Sequence, residues 1–138
     1  MILVLCASLW FVSCDQVQTV SDPLHGTYIG YFHRSQQDTA LVTLSIADNI
    51  YEGQSSEAAY PAIGKGSLTQ KEGQITFKDS SSWSPGTDRT LILKGTYNME
   101  QSNDGSVRIW RYRGDTLDEY ILGRPVRSIT SAYSARFP

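Results

Sequence analysis

Cysteine is nearly absent from this 138-residue chain, and the two that occur, Cys6 and Cys14, both fall in the first fourteen residues. Everything after Cys14 therefore lacks a thiol with which to cross-link, hold a metal or attack a substrate. Histidine is as scarce: His25 and His33 are the only imidazoles, and at the two ends of one extended segment they stand about 26 Å apart. They cannot share a metal or a proton-transfer site. No serine occupies a Gly-x-Ser-x-Gly elbow, and the other nucleophile arrangements lack their parts. The expectation is a protein without a cofactor or metal, and not an enzyme. Charge of one sign is missing as well, since 12 basic against 14 acidic side chains leave a formal charge of -2. Phosphate binding needs a basic field, so this balance argues against nucleic acid as a partner. After Cys14 there is also no sustained apolar period of 3.6 residues, which leaves no long helix to expect there.

What the chain does have is an apolar beginning. Residues Met1 to Ser13, MILVLCASLWFVS, carry no charged side chain. The run is shorter than the about 20 residues that a spanning helix needs and has the length of the apolar region of a secretory signal peptide. Phe11, Val12 and Ser13 stand directly before Cys14, and this tripeptide with its cysteine resembles the lipobox of bacterial lipoproteins. In that pattern a small residue precedes a cysteine whose sulfur is acylated before the signal is cut away. The resemblance implies a signal peptide over residues 1–13, lipid attachment at Cys14, and a place in the cell envelope, anchored to a bacterial membrane and facing the periplasm or the exterior. Two other readings of the same run stay open: a buried strand with Cys14 as a core thiol, or removal by ordinary signal peptidase. The polar stretch DQVQTVSDP after Cys14 reads as a tether over residues 14–25.

From Gly26 onward the pattern becomes short alternating runs separated by turn residues, the mark of antiparallel strands. Strands are expected at Gly26–Arg34, Ala40–Ala47, Asn49–Ser55, Tyr60–Gln70, Gln74–Asp79, Thr90–Met99, Ser106–Arg113 and Leu117–Arg124. Glu72-Gly73, Asp104-Gly105 and Gly114-Asp115 carry hairpin chemistry, glycine supplying positive φ. Short links at nearly every junction imply an all-β, eight-stranded antiparallel up-and-down meander. Left flat it would expose two edges, and closing it into a barrel over residues 26–124 removes them. Such a domain buries about two thirds of its unfolded surface and can stand alone, as a monomer. The tail after Arg124, residues 125–138, begins with Pro125 and is rich in Ala and Ser.

Within this frame, alternation places Val42, Leu44 and Ile46 on one face of their strand, and Val107 with Ile109 on one face of theirs. These are the expected interior, with Trp110, Arg108 and Tyr112 outside. The one long irregular link, DSSSWSPGTDR, surrounds Trp83 with Ser, Pro and Gly. Trp83 is taken as the loop aromatic nearest an open end, and Trp83, Val42, Leu44 and Ile109 as candidate ligand-binding residues. Asp79 and Asp88 at the ends of that link read as turn and Asx chemistry. Arg108, Arg111 and Arg113, with Asp104, Asp115, Asp118 and Glu119 around them, read as a mixed solvated surface.

Gly26-Thr27-Tyr28 opening the first strand and Arg124 closing the last are similar to the calycin pattern of lipocalins, fatty-acid-binding proteins and avidins. There a Gly-x-Trp at the barrel base is packed by an arginine from the final strand. The resemblance implies a lipocalin-like barrel in which Tyr28 and Arg124 meet at the closed end. Trp83, Asp88, Leu91, Leu93, Gly95 and Tyr97 also look like a recurring pattern of small bacterial lipoproteins. Two functions are expected of such a barrel: binding a small hydrophobic ligand in its interior, or binding another envelope protein, as an interaction or inhibitor protein, through its loops.

Overall fold

In the strand β1 (Gly26–Arg34) large side chains alternate with exposed ones, so that Tyr28, Phe32 and Arg34 face one way and Ile29, Tyr31 and His33 the other. The same period of two runs through β2 (Thr39–Ala47), β3 (Ile50–Ser55), β4 (Lys65–Lys71), β5 (Gln74–Asp79), β6 (Gly95–Gln101), β7 (Val107–Arg113) and β8 (Thr116–Gly123). One buried face per strand demands something to close against, and the eight strands satisfy it by pairing in sequence order into a closed antiparallel barrel. Closure is made between β1 and β8, where Gly30 pairs with Leu122 and Arg34 with Asp118. Gly30 permits this approach, because a Cβ there would lie 1.9 Å from the Ile121 carbonyl oxygen. The computed structural model describes residues 22–126; Cys14, the signal peptide expected over 1–13, most of the expected tether and the tail beyond Val126 lie outside the described residues. No described helix is long and apolar enough to cross a membrane.

The hairpin turns sit where the glycine signals place them. Gly73, Gly105 and Gly114 have φ of +67°, +84° and +57°, the left-handed region that glycine enters without a Cβ penalty.

Two expected strands are shorter than the sequence suggests. Tyr60–Gly64 and Thr90–Lys94 are not part of the barrel wall. They meet each other through the bridge between Ala62 and Ile92, with Ala62 N–H donating to Leu91 O at 3.0 Å and Leu93 N–H to Ala62 O at 2.9 Å. Pro61, Ala62, Ile63, Ile92 and Leu93 are buried by this pairing. An apolar segment that folds across a barrel end has the same composition as a buried strand, and local pattern does not separate the two.

These segments form a lid at the end where β1 finishes. At the opposite end, the base, the chain before β1 is tied down: Leu24 N–H donates to Gln70 Oε1 at 3.0 Å, and the Gln70 and Gln101 amides donate to Asp22 O at 3.0 and 2.7 Å. Tyr28 and Arg124 meet there as the calycin resemblance implies, the guanidinium carbon 4.8 Å from the ring centroid and Nη2 donating to the phenol oxygen at 3.1 Å.

Candidate functional site

Val42, Leu44 and Ile109 are 1–3% exposed and lie in the central core with Ile46 and Val107, as alternation requires. Aromatic rings run through that core, among Leu68, Ile75, Met99 and Leu122. Phe32, Tyr120, Tyr97, Phe77 and Tyr51 form a continuous series across it, with successive centroids 4.7, 6.0, 5.8 and 5.1 Å apart. Most of these pairs are edge-on, the arrangement ring quadrupoles favour. Burial pushes the Tyr97 phenol up to about 12 and those of Tyr51 and Tyr120 well above their ordinary value, so all three are neutral, and Tyr51 donates to Leu93 O at 3.2 Å. Clefts of the surface are found at the base, at the rim of the lid end and on the outer wall, and Val42, Leu44 and Ile109 line none of these.

Trp83 is not brought to those residues. Its indole N–H donates to Asp79 Oδ2 at 2.7 Å, and its ring rests against Gly64, where a Cβ would approach Cζ2 to 3.1 Å. Asp79 also accepts from Ser81 N–H at 3.2 Å. Asp88 caps the short 3-10 turn Arg89–Leu91, accepting from the Thr90 N–H at 2.8 Å and its hydroxyl at 2.7 Å. Both aspartates thus serve the loop.

Hydrogen bonds from Thr90 hold the Asp88 carboxyl below its ordinary 3.8. A carboxyl whose folded pKa is depressed contributes stability that is present above the unfolded pKa and lost as pH falls through the folded one. Asp88→Ala is therefore expected to cost about 1 kcal/mol in urea unfolding at neutral pH, with the gap to the wild type closing in acid. A gap that widens on acidification would overturn this assignment.

Asp118 and Glu119 correct the expectation of a solvated surface, for they are 2% and 7% exposed. Alternation is the reason. It carries Arg111 inward behind Val107 and Ile109, and Asp118 inward ahead of Tyr120 and Leu122. Register then sets Asp118 directly between Arg34 on β1 and Arg111 on β7. Arg34 takes the carboxylate with both arms of its fork, Nε to Oδ1 at 2.6 Å and Nη2 to Oδ2 at 2.8 Å. Its remaining donors reach the lid, Nη1 to Thr90 Oγ1 at 2.8 Å and Nη2 to Thr90 O at 2.9 Å. Arg113 and Arg111 stand farther from Oδ2, at 3.5 and 3.8 Å. Arg111 donates to Lys94 O and lies 4.1 Å over the Tyr97 ring, while its buried Nε and Nη2 have no hydrogen-bond acceptor. Desolvation lowers its pKa. One carboxylate thus faces three guanidinium groups, a cluster that joins lid to wall.

On the outer face, one register step away, Glu119 bonds Arg108 and lies 3.6 Å from His33 Nε2. Arg108 covers the half-buried Trp110 at 4.2 Å from its centroid. This gives Trp110 the cover that an outward tryptophan needs. Beside it lies an exposed apolar patch. Leu41 on β2, Tyr31 on β1 and Ile121 on β8 form one cross-strand row, with Ile29 adjoining. They are 45%, 58%, 51% and 39% exposed. Tyr112 on β7 adds a further exposed ring. Sequence reasoning placed Trp110 outside but did not carry the alternation of β1, β2 and β8 through to this patch, although Ile29, Tyr31, Leu41 and Ile121 occupy its outward phase.

No family model, curated protein or solved structure matches the chain.

Proposed function

We propose that this barrel is a lipid-anchored cell-envelope protein that binds another protein, and that it does so through the outer wall formed by β2, β1, β8 and β7. The carrying observation is the contiguous row Leu41, Tyr31 and Ile121, left exposed with Ile29 while aromatic rings occupy the core. Tyr, Trp and Arg supply most of the binding energy at protein interfaces, and Tyr31, Tyr112, Trp110 and Arg108 bring all three residue types to this wall. Trp83 is less suited to serve as an anchor, because Asp79 already holds its N–H and Gly64 backs its ring. Binding of an apolar ligand in the interior would require displacing rings from a filled core, which makes it the less favoured reading. Anchoring at Cys14 rests on the lipobox resemblance.

The test is a photo-crosslinking residue placed at Tyr31 or, on the opposite wall, at exposed Thr69. In the native cells, position 31 is expected to yield one heterologous adduct that Ile121→Lys abolishes, and position 69 none. Ile121→Lys itself, an exposed substitution, should alter stability by no more than about 0.5 kcal/mol. Identical adducts from both positions, or none from 31, would overturn the assignment of the wall.

A further inference from the structure

The base of the barrel carries a cleft of about 470 Å³ whose lining includes Asp22, His25, Tyr28, Asn103, Val107 and Arg124. That is within the size range of small-molecule sites. Two of its side chains carry opposite charge, yet Asp22 and Arg124 make no ion pair with each other or with any other described residue. The backbone at Asp22 and the side chain of Arg124 are held separately. The Asp22 carbonyl is fixed by the Gln70 and Gln101 amides. Arg124 is fixed by the ring and hydroxyl of Tyr28. Gly26, at φ +92°, leaves the space that the guanidinium fills, for a Cβ there would lie 2.7 Å from Nη1. Opposite charges that line one cleft and are not spent on each other, one on a restrained guanidinium and one on a carboxylate left free to turn, form a receptor for a ligand that carries both signs.

From this geometry we infer that the base cleft binds a zwitterion, its phosphate on Arg124 with Asn103 beside it and its ammonium on Asp22, and that the source is an aminophosphate lipid headgroup. Leu24 and Val107 give the cleft an apolar shoulder against which the adjoining methylenes can lie. The headgroup source follows from chain direction: Asp22 enters the base, and Cys14 stands eight residues before it. Eight extended residues reach at most about 28 Å, so an anchor at Cys14 keeps this end of the barrel close to a bilayer. Only that proximity rests on the anchoring reading. The zwitterion site itself is independent of it and of the protein-binding wall.

The test uses the full chain with Cys14→Ser and follows the Asn103 side-chain amide resonance during titration with O-phosphoethanolamine, inorganic phosphate and β-alanine. O-phosphoethanolamine should shift it saturably. Phosphate alone, Arg124→Gln and Asp22→Asn should each weaken binding by about tenfold or more, as expected for loss of a charge-assisted contact. Asp22 is exposed and its side chain makes no described hydrogen bond, so Asp22→Asn keeps the fold even if Arg124→Gln does not. In nanodiscs, phosphatidylethanolamine should be preferred over phosphatidylglycerol, with the preference lost in Asp22→Asn. Equal binding of phosphate and O-phosphoethanolamine would overturn the zwitterion site. Stronger binding of β-alanine, or no nanodisc preference, would overturn the headgroup assignment.

Discussion

Asp118→Ala is expected to be the most damaging single substitution among the charged residues of the barrel. It removes the carboxylate that Arg34 grips with both arms and that Arg113 and Arg111 face at 3.5 and 3.8 Å. Breaking a buried pair by deleting one partner strands the other charge, at a cost of about 3–5 kcal/mol. For a domain of this size that lowers Tm by roughly 12–40 °C. The damage should extend to the lid, because Arg34 also donates to the hydroxyl and carbonyl of Thr90. Urea unfolding gives the size of the loss, and hydrogen exchange at Leu93 and Ala62 its location. The pair Arg34→Met with Asp118→Leu should recover only the part due to Arg34, since the apolar replacement removes that guanidinium but leaves Arg111 and Arg113 without the carboxylate they face. A single Asp118→Ala within about 0.5 kcal/mol of the wild type would mean that the cluster is solvated.

Phe77→Ala is expected to be comparably severe for a different reason. Phe77 is 2% exposed and stands edge-on to both Tyr51 and Tyr97, at 5.1 and 5.8 Å. Its removal leaves a cavity in the middle of the ring series, which costs about 3–5 kcal/mol. The same truncation at Tyr31, 58% exposed on the wall, should change stability by no more than about 0.5 kcal/mol. Chemical denaturation of the two variants side by side separates a core ring from a surface one. Equal losses at the two positions would show that the wall patch is part of the fold's support. If Phe77→Ala opens space in the core, an apolar probe that the wild type ignores should bind it.

Much of this arrangement was legible residue by residue. Alternation in Ala40–Ala47 gave the inward facing of Val42, Leu44 and Ile46, and in Ser106–Arg113 that of Val107 and Ile109, all of which are buried. The glycines of Glu72-Gly73, Asp104-Gly105 and Gly114-Asp115 marked the hairpins, and each adopts positive φ. The charged cluster was legible in principle and was misread. Arg108, Arg111 and Arg113 are close in sequence, and proximity of charges suggests a solvated turn. On a strand, neighbours one apart point to opposite faces, so the group divides, with Arg111 going to the interior and Arg108 to the wall. The same division separates Asp118 from Glu119.

By itself, the sequence determined the fold class, the number of strands and the facing of most side chains, because those follow from a period of two and from turn chemistry that acts over a few residues. The meeting of Tyr28 with Arg124 was reached another way, from the resemblance of Gly26-Thr27-Tyr28 and Arg124 to the calycin pattern. Only the tertiary structure decided what depends on residues far apart in the chain. Ala62 and Ile92 pair as a lid because the barrel end leaves them an apolar surface to cover, and either segment alone reads as a strand. Asp118 is flanked by Arg34 and Arg111 because closure between β1 and β8 sets that register, and no local pattern encodes which residue will stand opposite another. The apolar patch exists for the same reason: Leu41, Tyr31 and Ile121 are scattered in sequence and become one surface when three neighbouring strands align.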